Sequence, residues 1–242
     1  MSQNIYDTAE FFAGYSTMRR SIEGLEGAAE WPAVRAQLPE LAGKHVVDLG
    51  CGFGWFARYA RSEGAASVLG LDISENMIGR ARADTHDEAI TYGIADLEEL
   101  ELPDASFDFA HSSLAFHYVK NFERLVATVY RALVPGSRFV FTIEHPIFMA
   151  PRSAGWSTDA NGQRIWPLDS YAIEGSRTTD WLAKGVVKQH RRLGTTLNTL
   201  ISSGFTIRHV EEWAPSEQDL AEHPEWAEEL DRPMFLLVMA ER

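Results

Sequence analysis

From residue 45 onward the chain alternates between two hydrophobic periods. Short apolar runs of strand length stand at HVVDLG (45–50), SVLGLDI (67–73), ITYGIAD (90–96), FDFAHSS (107–113) and SRFVFTIEH (137–145). Between them lie segments with the spacing of amphipathic helices. WFARYARSEG (55–64) is stopped by Gly64, ENMIGRARAD (75–84) is preceded by Ser74 as a cap, and FERLVATVYRALV (122–134) is ended by Pro135 and Gly136. Alternating strands and helices predict parallel βαβ units with right-handed crossovers. The later strands carry few charges, as a parallel sheet covered on both faces requires.

The flanks of this regular stretch read differently. Residues 1–44 give no strand signal and read as short helices broken at Gly14, Gly24 and Gly27, with Pro32 in the first turn of a further helix. After His145 the alternation stops. Residues 146–189 are rich in Trp, Gly, Pro and Asp and read as an irregular insertion, with a hairpin turning at DANG (159–162). Regularity returns in residues 190–242, with a helix at TTLNTLISSG (195–204) and strands at FTIRHVEEW (205–213) and MFLLVMAER (234–242), joined by an acidic helical link with a solvated face. The expected organisation is a helical lid (1–44), a ligand-binding core (45–145), a substrate-side insertion (146–189) and the end of the core (190–242).

Charge narrows the range of partners. With 22 Lys and Arg against 35 Asp and Glu, the net charge is −13. Such a surface repels nucleic acid and anionic membrane, so neither is an expected partner. KQHRR (188–192) is a local basic exception. The single cysteine, Cys51, can form no internal disulfide and no thiolate metal site, and it suits a reducing compartment. The opening MSQNIYDTAEFF is polar and acidic, and no apolar run approaches a membrane span. A cytoplasmic protein, monomer or homodimer, is the expectation.

The candidate chemistry sits where the first strand ends. Gly50, Gly52 and Gly54 fall within five residues, at the turn where an open parallel sheet binds its ligands. Asp72 ends the next strand, about 20 residues on, the spacing at which an acid reaches a ribose diol. A dinucleotide loop has the pattern G-x-G-x-x-G, with the pyrophosphate on the helix N-terminus. Here the glycines alternate and Trp55 follows, which crowds a pyrophosphate. Asp48, just before the loop, repels diphosphate oxygens but suits an ammonium or sulfonium. A nicotinamide-dependent oxidoreductase therefore stands as an alternative, and a non-catalytic cofactor-binding protein as another.

VVDLGCGFG, followed in order by LGLDIS, GIADLEEL, SFDFAHSSLAFHYV and ALVPGSRFVFTIEHP, resembles the class I S-adenosylmethionine-dependent methyltransferases of the small-molecule, type 11-like kind. The resemblance implies a Rossmann-like, doubly wound seven-stranded α/β sheet, mostly parallel with an antiparallel last strand and helices on both faces. It implies S-adenosylmethionine as cofactor, S-adenosylhomocysteine as product, and transfer of a methyl group to an O, N or C atom of a small-molecule acceptor. Carried onto this chain, it has Gly50, Gly52 and Gly54 approach the methionine part, with Cys51 in a small-residue slot between them and Asp48 ordering the loop. Asp72 binds the ribose hydroxyls, Ile73 and Met77 pack on adenine, and Asp96 with Leu97 meets the adenine edge. Ser112, Ser113 and Leu114 line the methyl-transfer side. FFAGYSTMRR (11–20) resembles the family's lid. Tyr15 and Arg19, four apart and on one face if helical, are placed to reach cofactor or substrate.

The residues themselves supply further candidates. His117 and His145, at the ends of the fourth and fifth strands, are candidate bases along with Tyr15, and His190 is a candidate substrate contact. Each histidine can equally cap a strand or bind a carbonyl. Trp156, Trp166 and Trp181 form a small core of the insertion, wall a substrate pocket, or do both. No metal site is expected, because no histidines and acids show ligand spacing. Replacing Asp72 with Ala is predicted to abolish binding of S-adenosylmethionine in titration calorimetry while leaving the far-ultraviolet circular dichroism of the fold intact; unchanged affinity would refute the ribose assignment.

Overall fold

The computed structural model describes residues 2–242. The N-terminal part folds into three short helices, α1 (Ala9–Ser16), α2 (Arg19–Ile22) and α3 (Trp31–Gln37). The alternating core follows as β1 (His45–Leu49), α4 (Trp55–Ser62), β2 (Ser67–Asp72), α5 (Glu75–Ala83), β3 (Ile90–Ile94), β4 (Phe107–Ser113), α6 (Phe122–Ala132) and β5 (Leu133–Glu144). The insertion holds α7 (Pro146–Met149), the two-residue strands β6 (Ser157–Thr158) and β7 (Arg164–Ile165), and a long hairpin of β8 (Gly175–Trp181) and β9 (Ala183–His190). The chain closes with α8 (Leu193–Ser202), β10 (Thr206–Glu212), α9 (Glu217–Glu222) and β11 (Phe235–Glu241).

Seven strands form one sheet in the order β10-β11-β5-β4-β1-β2-β3. β1 lies between β2 and β4, parallel to both, and β4 is parallel to β5. Only β11 runs against its neighbours, β5 on one side and β10 on the other. The period of two along β1 sorts its side chains between two cores. Val47 and Leu49 pack with Leu125 and Val129 of α6 and Leu200 of α8. Val46 packs on the opposite face with Trp31 of α3, Phe56 of α4 and Ile78 of α5. The sheet is thus covered on both sides, as the unbroken apolar runs required. Strand order reverses beside β1, so a crevice opens between the turns that follow β1 and β4.

Two expectations are corrected. The helix expected to run to Pro135 ends at Ala132, and β5 starts at Leu133. Pro135 and Gly136 fit in the strand because its register against β4 shifts there, between Phe107 and Phe109, so no ladder donor is demanded of the proline. The insertion is also more regular than its composition implied. The β6–β7 hairpin turns over DANG as expected, with Asp159 accepting from the backbone of Asn161 and Gln163. The β8–β9 hairpin was not foreseen. It turns through Leu182 at φ 58°, and Arg177, Lys188 and His190 are among its inward side chains, so no apolar alternation marks it.

Residues 2–7 form a strap across the open end of the sheet. The side chain of Gln3 both donates to Gly185 O and accepts from Val187 N–H, each at 2.9 Å, tying the strap to β9. Asp7 caps α5 from outside the helix, accepting from Ser74 Oγ at 2.6 Å, Asn76 N–H at 3.0 Å and Glu75 N–H at 3.1 Å. Burial pushes the Asp7 carboxyl up, but these donors outweigh it and hold it below the ordinary carboxylate range. The bond it makes is therefore fully present at neutral pH and is lost as pH falls through that lowered pKa. Asp7→Ala is predicted to destabilise the fold by about 1–2 kcal/mol at neutral pH in urea denaturation, as loss of a helix cap does. The difference from wild type should shrink in acid; a pH-independent difference would contradict the capping account.

Candidate functional site

The turn after β1 is pinned to the end of β2. The N–H groups of Gly50 and Cys51 both donate to Leu71 O, at 2.7 and 2.9 Å. Gly52 N–H donates to Asp72 Oδ2 at 2.9 Å, and the other Asp72 oxygen accepts from Ser74 N–H at 2.9 Å. This path requires left-handed backbone, φ 77° at Gly50 and 51° at Gly52. A Cβ on Gly50 would collide with Ala115, whereas one on Gly52 would meet nothing within 4 Å. The loop is therefore packed against the protein at Gly50 and open to a ligand at Gly52. Burial pushes the Asp72 carboxyl up to about 6, helped by Asp48 and Asp7 and resisted by its two backbone donors.

Asp48 is buried beneath the loop. One oxygen meets His111 Nδ1 at 2.8 Å, and Oδ2 has no partner among the described residues. His111 in turn stacks on Phe56 at 3.6 Å between ring centroids. An unpartnered buried carboxylate oxygen suits a ligand that brings a positive charge or a donor. The sequence reading did not single out His111. A histidine inside a strand carries no signal of its own, and only the cross-strand pairing of Asp48 with His111 reveals it.

A cavity of about 1060 Å³ joins this loop to the insertion. That is just above the range of about 300–1,000 Å³ for a single small-molecule site, so it has room for two ligands. Asp48, Gly50, Cys51, Gly52 and Asp72 line it, with Ile73, Met77, Asp96 and Leu97 beyond β2 and β3, and Ser113 and Leu114 beyond β4. Asp96 accepts from Ser2 Oγ at 2.7 Å, so the strap lies over this part. Gly54 lies behind the wall, where a Cβ would strike Tyr92. Cys51 is buried and its thiol is pushed well above the ordinary range by burial and by Asp72 and Asp48, which leaves it unreactive. Ser112 faces away: it is fully buried and its hydroxyl donates to Leu49 O at 2.6 Å, tying β4 to β1.

The other half of the cavity is walled by Tyr15, Trp156, Trp166 and Trp181, with His117 among them. His117 Nδ1 accepts from Glu144 N–H at 3.3 Å, which leaves the ring proton on Nε2. Burial, with Lys188, Arg191 and Arg20 nearby, holds its pKa well below the ordinary value, so the ring is neutral. A neutral ring whose Nδ1 is already taken is a donor to a ligand, not the base proposed for it. Trp166 donates to Ile147 O at 3.1 Å and stacks on Phe148, so the insertion's tryptophans serve its own packing and the cavity wall together.

Three candidates stand outside the cavity. His145 caps α7, accepting from Ile147 N–H at 3.1 Å, and its Nε2 meets Glu212 at 2.8 Å. His190 is fully buried and bonds Tyr171 O at 2.8 Å. Arg19 is exposed and pairs with Glu23 at 2.7 Å. The helix assumed to join it to Tyr15 is broken, since α1 ends at Ser16 and α2 begins at Arg19. Arg20 lines the cavity in its place, held by both oxygens of buried Glu30 at 3.0 Å. Glu144 and Lys188, an ion pair on the same wall, also went unassigned. Only their burial at 12% and 4% side-chain exposure distinguishes them from surface charges. No group of acids, histidines or cysteine able to hold a metal ion is found among the described residues, and no helix among them is long and apolar enough to cross a membrane.

Comparison with known proteins agrees with this geometry. Residues 47–141 match the family described as a methyltransferase domain. An S-adenosylmethionine-dependent methyltransferase of Mesorhizobium loti, known as a crystal structure, is 62% identical with a TM-score of 0.87, over 90% of this chain and 100% of that one. An uncharacterized protein of Haemophilus influenzae is 33% identical over 99% of this chain and 97% of its own length. The malonyl-[acyl-carrier protein] O-methyltransferase of Erwinia billingiae is 34% identical over 55% of this chain and 53% of that enzyme. With the sheet order, the glycine loop and the acid ending β2 all in place, the chain belongs to the class I S-adenosylmethionine-dependent methyltransferases, enzymes whose cofactor is S-adenosylmethionine.

Proposed function

We propose that the enzyme transfers a methyl group to an O, N or C atom of a small molecule held in the tryptophan-walled half of the cavity. The observation that carries this reading is the continuity of one cavity from Gly52 and Asp72 to Trp156, Trp166 and Trp181. Family membership sets aside the nicotinamide-dependent oxidoreductase and the non-catalytic cofactor-binding protein.

When bound, S-adenosylmethionine supplies a methyl group on a sulfonium, already a good leaving group. In this reading Asp72 accepts from the ribose hydroxyls while keeping its bonds to Gly52 and Ser74. Ile73 and Met77 would pack on the adenine, and Asp96 with Leu97 would meet its edge, the carboxylate accepting from the amino group. The open face of Gly52 admits the methionine part. Asp48, with Oδ2 unpartnered, would offer an acceptor to the methionine part. Ser113 and Leu114 border the acceptor. Leu114 is held at φ 54° by its bond to Thr142 O at 2.9 Å, which fixes this edge.

The remaining task is alignment and exclusion of water. Residues 1–44 and 146–189 act as the two covers, and the strap of residues 2–7 ties them together at β9. Tyr6 of the strap, Tyr15 of α1 and Trp181 of β8 all pack on Phe11, with ring centroids 4.5–6.4 Å apart.

Purified protein is expected to bind S-adenosylmethionine and S-adenosylhomocysteine with micromolar affinity in titration calorimetry and NADH not at all; the reverse would overturn the assignment. The Asp72 carboxyl protonates near pH 6 in the free protein. The ribose hydroxyls favour its ionised form, so affinity should be full above that pH and fall as pH drops through it. A titration series from about pH 5 to about pH 8 checks this. Asp72→Asn should bind weakly at every pH and without that slope, and a slope that persists in the variant would assign the titration to another group.

A further inference from the structure

Hydrogen-bond donors outnumber acceptors in the acceptor half of the cavity. Arg20 meets Glu30 through Nη2 alone, so its Nε–H and Nη1–H groups have no protein partner among the described residues. The Lys188 ammonium spends one N–H on Glu144 and lies 4.7 Å over the Trp181 ring, leaving its other N–H groups free. His117 has its Nε2–H to give. Tyr118 accepts from Tyr6 O–H at 3.2 Å and keeps its own hydroxyl proton. Against this set stands one unpartnered carboxylate oxygen, Glu144 Oε2, with the hydroxyls of Ser21 and Thr179, each of which can also donate, the other unpartnered oxygens on this half of the cavity lining among the described residues.

These groups come from four separate segments and meet at one wall. His117 and Tyr118 follow β4, Glu144 ends β5, Lys188 lies on β9 and Arg20 on α2, and all of them line the cavity. Phe235, opposite Glu144 in the β11–β5 register, lies 5.7 Å beneath the Arg20 guanidinium. Arg20 and Lys188 each have a buried carboxylate partner, so neither is a bare buried cation. What the pairs leave over is directional: several N–H and O–H donors around one carboxylate oxygen. These donors open onto the cavity, where a ligand that supplies oxygens can accept from several of them at once.

We infer that the acceptor is a small hydroxy acid. Its carboxylate takes the free donors of Arg20, Lys188 and His117, and its hydroxyl hydrogen is given to Glu144 Oε2. A neutral amide answers half of this set, since it brings one acceptor oxygen where the carboxylate brings two. An acid without the hydroxyl leaves Glu144 Oε2 facing a carboxylate with no hydrogen between them. Aromatic walls at Tyr15 and Trp181 favour an acid with an apolar body.

This inference rests on the methyltransferase reading of the same cavity, and the test separates the two. Protein saturated with S-adenosylhomocysteine is titrated with mandelate, 3-phenyllactate and lactate, each compared with its amide and with the acid lacking the hydroxyl. At least one hydroxy acid is expected to bind about tenfold more tightly than both of its controls, the loss expected when a charged hydrogen bond is removed. The paired variant E144Q/K188M removes both charges without stranding either, and should lose that preference while its affinity for S-adenosylhomocysteine stays unchanged. Equal binding of acid and amide, absence of binding by every hydroxy acid, or a preference that survives in the variant would overturn the inference. Failure of the wild-type protein to bind S-adenosylhomocysteine would instead overturn the reading beneath it.

Discussion

The site depends on one clamp between two adjacent parallel strands. Leu71 O receives the N–H groups of Gly50 and Cys51, and one residue further along each strand Asp72 receives the N–H of Gly52. A turn with three glycines loses much conformational entropy on ordering. Here the backbone donors are matched to acceptors already fixed by the β1–β2 ladder, so the loop inherits the rigidity of the sheet. The same carboxylate holds the N-terminus of α5 through Ser74 N–H. The glycine loop and the N-terminus of α5 are therefore positioned together by the end of β2 rather than by independent packings.

Much of this was legible in the sequence because the parallel sheet is buried on both faces. Strands such as FVFTI have to read as apolar runs, and their order with the intervening helices specifies the topology. The glycine-loop half of the cavity was legible for a related reason. Gly52 and Asp72 are tied to strand ends, so their separation along the chain fixes their separation in space.

The tryptophan-walled half was not legible, and the causes are specific. The β8–β9 hairpin turns Lys188 and His190 inward, so the polar side chains that mark a strand's outer face lie on its inner one. Arg19 and Arg20 are neighbours of the same type, and the break between α1 and α2 sends one to solvent and the other into the cavity. His117 and His145 both follow strand ends, yet one faces the cavity and the other caps a helix. A histidine's role follows from the partner of each ring nitrogen, and no spacing rule encodes that partner.

The central claim is that the glycine loop and Asp72 hold the adenosyl cofactor while the tryptophan-walled half remains free for an acceptor. A crystal structure of the protein with S-adenosylhomocysteine tests it most directly. The account predicts ribose hydroxyls on Asp72, adenine packed on Met77 with Leu97 at its edge, the methionine part over Gly52, and the space beside Trp181 and Lys188 left open. An adenosyl group seated against Trp156 and Trp166, or a ribose without contact to Asp72, would contradict it.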